Sequence, residues 1–176
     1  MIEVICGGMF AGKSEMLIHR LKRAAYAKKN LVAFKPAIDN RYSVSDIASH
    51  SGHTINCIAV ANAGDILKYV KNEQVVGIDE AQFFDSYIVD VVDILHRRGI
   101  DVYIAGLDLD SMGRPFGSMP YLLSAAERVT KISAVCMSCG ADATRSQRLV
   151  KTNEQVLVGA VDSYDCLLYT SPSPRD

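Results

Sequence analysis

No sign of charge prevails in this chain of 176 residues: 19 lysines and arginines stand against 20 aspartates and glutamates, a net charge of −1. Proteins that hold nucleic acid by neutralising phosphates carry a basic surplus, so nucleic acid is not expected as a partner. No apolar run approaches the roughly 18 residues that suggest a membrane span, and the first residues lack a basic stretch followed by a cleavable apolar segment. These absences predict a cytoplasmic protein with no membrane partner. Cysteine is sparse, five residues, and in a reducing compartment it supplies buried thiols or metal ligands rather than disulfides. Cys6 and Cys57 lie in apolar runs and read as small core residues. The length suits one domain with a real core and, at most, a small second unit.

What is present begins at residue 7. Gly7, Gly8, Met9, Phe10, Ala11, Gly12, Lys13 and Ser14 spell the pattern G-x-x-x-x-G-K-S directly after the apolar run 2–6. That is the strand-to-helix context in which glycines let the backbone curl, so that successive N–H groups face phosphate oxygens. The helix that starts near Gly12 adds the positive end of its dipole. Lys13 is placed to reach the β- and γ-phosphates and the Ser14 hydroxyl to ligate Mg²⁺, so the segment predicts a nucleoside triphosphate site.

Further along, residues 15–29 have helical spacing, with basic residues between the apolar ones that read as a solvated face. Short apolar runs at 31–34, 57–61, 75–78 and 102–107 read as strands, and 63–71 and 87–98 as helices, the second stopped by Gly99. Residues 37–54 are polar and turn-rich and read as a long functional loop; His50 and His53 in it read as solvated. Alternating strands and helices predict an α/β fold, a mainly parallel sheet with flanking helices. The strand 75–78 ends in Asp79 and Glu80, where the magnesium and the reacting phosphoryl group are expected. Asp79 is assigned to the magnesium shell and Glu80 to general base for an acceptor hydroxyl.

The ordered segments Gly7 to Ser14, Asp39-Asn-Arg-Tyr42, Gly77-Ile-Asp-Glu-Ala-Gln-Phe-Phe84, Gly106-Leu-Asp108 with Arg114-Pro-Phe-Gly117, Ala134-Val-Cys-Met-Ser-Cys139, and Val156-Leu-Val-Gly159 with Asp162-Ser-Tyr164 resemble cellular-type thymidine kinases. The resemblance implies a P-loop α/β domain over 1–134 and a zinc-ribbon and lasso unit over 135–165. It implies an enzyme that moves the γ-phosphoryl of ATP to the 5′-hydroxyl of thymidine, with thymidine and ATP as its small-molecule partners and a homotetramer as its assembly. It also implies that Asp39 supports the Mg²⁺ held by Ser14 and Asp79, and that Arg41 stabilises charge on the transferred group beside the base Glu80. Thymidine is then expected against Met9, Leu107, Phe116, Val158, Gly159 and Tyr164. Read alone, Leu107 is as well explained as a core residue at the end of a buried strand.

Three departures from the family pattern stand out. Ser111 occupies the place of a usual second aromatic, and the lasso glycine pair is Gly159-Ala160. The family's structural Zn²⁺ takes four ligands, of which Cys136 and Cys139 supply two. Cys166 falls at a different offset from the expected second pair, and Tyr169 stands where its partner belongs. Residues 166–176 have the Ser/Pro composition of an unstructured tail and read as non-native sequence fused to a truncated gene. A kinase for another deoxynucleoside, a nucleotide-dependent switch and a non-catalytic fragment are the alternatives the sequence leaves open.

Overall fold

The computed structural model of the protein describes residues 1–38, 46–48, 52–148 and 164–167. Six strands form one sheet in the order β5-β2-β6-β7-β1-β8, every neighbouring pair parallel. They are β1 (Ile2–Gly7), β2 (Leu31–Pro36), β5 (Ile58–Val60), β6 (Val75–Ile78), β7 (Asp101–Gly106) and β8 (Arg128–Ile132). Helix α1 (Lys13–Tyr26) follows β1, and α3 (Ile88–Arg97) and α4 (Met119–Ala125) flank β7 in the chain. This is the mainly parallel α/β architecture that the alternation of periods predicts.

Side chains leave a strand on alternate faces, and β1 shows the result. Ile2, Val4 and Cys6 pack with α3, α4, Phe34, Ile78 and Ile104, whereas Ile5 packs with Leu17, Ile18 and Leu21 of α1. Both faces are covered, which is why the inner strands read as nearly continuous apolar runs. Gly77 lets α1 come close, since a Cβ there would lie 2.7 Å from Leu21 Cδ1.

One charge breaks the run. Glu3 is fully buried in β1, and Arg20 of α1 donates to both of its carboxylate oxygens at 3.1–3.2 Å, joined by Thr130 Oγ1 at 3.1 Å. A buried carboxylate needs such partners. Arg20 is therefore not part of a solvated helix face, as its spacing suggested.

Other differences are local. The helix expected at 63–71 is a 3₁₀ turn, Ala63–Asp65, followed by the single-turn helix α2 (Ile66–Tyr69). Gly64 weakens the start, and Val70 is buried in an extended conformation that ends it. The strand expected at 57–61 is shorter, Ile58–Val60, and within the expected loop β3 (Asp46–Ala48) pairs antiparallel with β4 (Thr54–Asn56). Helix α4 and strand β8 were not expected.

Past β8 the chain forms two small antiparallel ribbons. In one, β9 (Ala134–Val135) pairs with β10 (Asp142–Ala143); in the other, β11 (Arg145–Arg148) pairs with β12 (Tyr164–Leu167). Strand β12 thus places Cys166 one residue beyond the boundary expected at 165, buried with its Sγ on the phosphate loop. Asp39, Arg41, His50, Val158, Gly159 and residues 168–176 lie outside the described residues.

Candidate active site

Strands β1, β6 and β7 are adjacent to one another through β7, so their C-terminal ends share one edge of the sheet. That edge carries the phosphate loop after β1, Asp79 and Glu80 after β6, and Leu107 and Asp108 after β7. Ligands of open parallel sheets bind at such an edge.

The loop enters α1 through Gly12 in the left-handed conformation, φ 86°, and no side chain caps the helix. Its first N–H groups are therefore left for an anion. Phe10 also takes a positive φ, 60°, a conformation costly for a residue with a Cβ. Lys13 Nζ donates to Gly8 O at 2.6 Å across the loop. Burial lowers its pKa, opposed by the nearby Glu80, Asp79 and Asp108 carboxylates.

Asp79 is buried, and its Oδ1 accepts from Ser14 Oγ at 3.2 Å and from the Glu80 backbone N–H at 3.0 Å. Burial, with the Glu80 charge beside it, pushes the Asp79 carboxyl up to about 7, against those hydrogen bonds and Lys13. A hydroxyl and a carboxylate side by side form a hard-oxygen pair of the kind Mg²⁺ takes, with phosphate and water completing its shell. Ser14 and Asp79 therefore fit the magnesium assignment. Glu80 sits in the left-handed region, φ 50°, ahead of the 3₁₀ turn Ala81–Phe83.

A separate apolar cluster stands beside the loop. It joins Met9, Leu107, Phe116 and Tyr164 with Ala134, Cys136, Ala143 and Cys166. Phe116 is fixed by its N–H on Asp108 O at 3.1 Å and by an edge-to-face contact with Phe83, ring centroids 5.7 Å apart. The short excursion before it is tied by Asp110, whose Oδ1 accepts the Met112 and Arg114 N–H groups at 2.9 Å. Asp108 is ion-paired with Lys131 of β8 at 2.7 Å.

The C-terminal ribbons reach this loop directly. Ser146 Oγ accepts the Met9 N–H at 2.8 Å, and Cys166 Sγ donates to Met9 O at 2.7 Å. The Met9 amide is thus engaged by the ribbon rather than directed at phosphate. Cys136 is buried and Cys139 exposed. Among the described residues no group of three or more His, Cys, Asp or Glu side chains converges to hold a metal, so they do not complete the zinc site that the resemblance implies.

The sequence profile described as thymidine kinase matches residues 1–168. The chain belongs to the thymidine kinase family. Family membership supports a nucleoside kinase. This thymidine kinase family chain also aligns with solved structures of other proteins. Domain III of the Thermotoga maritima replication initiation protein DnaA matches at 15% identity and a TM-score of 0.48, over 74% of this chain and 53% of that one. Pif1 helicase from Candida albicans matches at 14% identity and a TM-score of 0.48, over 80% and 38%. The Thermotoga maritima RuvB Holliday junction branch migration motor matches at 12% and 0.42, over 76% and 38%. The chain thus spans about half or less of the length of these three proteins.

Two contacts of the candidate site escaped the sequence reading. Gln82 Nε2 donates to Glu80 Oε2 at 2.5 Å while its Oε1 accepts the Leu107 N–H at 2.9 Å. Ser146 supports the loop from a segment that carries no motif. Neither has a signal at the level of residue type, since both depend on a partner distant in the chain.

Proposed function

We propose that this member of the thymidine kinase family transfers the γ-phosphoryl group of ATP to the 5′-hydroxyl of thymidine. The observation that carries the reading is the junction of Ser14, Asp79 and Glu80, with the phosphate loop on one side and the cluster of Met9, Leu107, Phe116 and Tyr164 on the other. Lys13 neutralises charge on the β- and γ-phosphate oxygens as the bond to the leaving oxygen breaks. Glu80 accepts the proton of the 5′-hydroxyl as its oxygen bonds to phosphorus, and ADP departs. Ser14 and Asp79 would hold Mg²⁺, which would supply positive charge against the phosphate oxygens. The base is assigned to the apolar cluster beside the loop, to which the ribbons contribute Ala134, Ala143 and Tyr164.

A phosphorylation assay with ATP over a panel of nucleosides tests this. Thymidine is expected to be the preferred acceptor, with product at the 5′ position. Preference for another deoxynucleoside would keep the phosphate chemistry and overturn the base assignment; no phosphoryl transfer to any nucleoside, with intact MgATP binding, would overturn the kinase reading.

A further inference from the structure

Gln82 is 3% exposed, and the chemistry of its neighbours fixes which way its carboxamide faces. The Leu107 N–H is a donor and can only meet the amide oxygen, so the NH₂ group must face Glu80, whose carboxylate oxygen accepts it. The fold makes room for Gln82 at two glycines, for its side chain at Gly106 and for its backbone carbonyl at Gly117. A Cβ on Gly106 would approach Gln82 Oε1 to 2.9 Å, and one on Gly117 would approach Gln82 O to 2.5 Å. Rotation of the amide would leave the Leu107 N–H facing another donor, a cost of about 1–3 kcal/mol in a buried place. Glu80 meanwhile occupies a left-handed backbone conformation that favours glycine, so its direction depends on the contacts around it.

We propose that Gln82 is the positioning residue for the general base: its amide holds Glu80 Oε2, and the Leu107 backbone holds the amide. The carboxylate is thereby set in a fixed relation to the strand end that walls the apolar cluster. The inference rests on the assignment of Glu80 as base. A nucleoside seated against Leu107 meets a base whose direction is set by that same residue's N–H, so the alignment acts on turnover more than on binding. Small errors of alignment at a reacting centre cost on the order of 10²-fold in rate.

Two substitutions separate the ends of the bridge. Gln82→Glu keeps an acceptor for the Leu107 N–H and loses the donor to Glu80; Gln82→Met keeps the length and loses both. Steady-state kinetics with ATP and thymidine should show kcat reduced about 10–100-fold in each, with the KM for ATP within about threefold of wild type. The same changes made on Glu80→Gln should cost less than about twofold further, because there is no longer a base to align. A general structural role would instead cost the same factor in both backgrounds. If Gln82→Met fails to fold, Gln82→Glu alone carries the test. Wild-type kcat in Gln82→Glu, or equal factors in the two backgrounds, would overturn the role of Gln82 while Glu80 stands. Wild-type kcat in Glu80→Gln would instead remove the base assignment itself.

Discussion

Lys13 and Asp79 are each held where burial disfavours their own charge, and they lie at the same spot. Each carries the charge that favours ionisation of the other, against the cost of burial. Lys13→Ala should abolish ATP-dependent turnover in a protein that remains folded by circular dichroism; near wild-type turnover would refute the phosphate-loop assignment. Asp79 gives a second test. Its folded-state pKa of about 7 lies above the ordinary carboxylate value, so the native state binds this proton more tightly than the unfolded chain does. That contribution favours folding at low pH and is lost as pH rises from about 4 towards about 7. Asp79→Asn keeps the Oδ1 acceptor and never ionises. Magnesium-free Asp79→Asn should thus be more stable than wild type at pH 8, by about 1–4 kcal/mol in urea titrations, with the gap narrower at pH 5 and closing only towards about pH 4. An equal gap at both pH values would show that the carboxylate is not disfavoured where it sits.

Among the elements, those built from a clear period were legible: β1, α1, β6, α3 and β7 lie within a few residues of where apolar spacing put them. Strand β8 escaped because it is an edge strand whose residues are exposed or half-buried, and α4 because it is short and starts beside Pro120. The site was legible where a motif names its own chemistry, as in residues 7–14 and at Asp79 and Glu80. It was not legible where one polar atom answers another far along the chain, as Gln82 does Leu107 and Arg20 does Glu3. The contact of β11 with the loop belongs to this second kind and can be tested. Ser146→Ala strands the buried Met9 N–H, which should cost about 1–3 kcal/mol of stability. It should also raise the thymidine KM more than the ATP KM, since the Met9 side chain belongs to the apolar cluster. Unchanged stability in denaturant titration would mean that the N–H finds another partner.

At the scale of the whole molecule, one parallel sheet covered on both faces carries a rim of two-stranded ribbons. Two-stranded units are marginal alone and rely on what they pack against. Hydrogen exchange should therefore show two tiers: amides of β1, β6 and β7 exchanging only with global unfolding, and those of β9 to β12 through smaller openings. Equal protection in both tiers would make the ribbons part of the same cooperative unit as the sheet. The ribbons also hold the peptide groups on both sides of Met9, one through Ser146 and the other through Cys166. A ribosome makes the phosphate loop well before these two residues, at about 5–20 residues per second. The loop can curl early, but its final shape waits for a segment more than a hundred residues behind it in the chain.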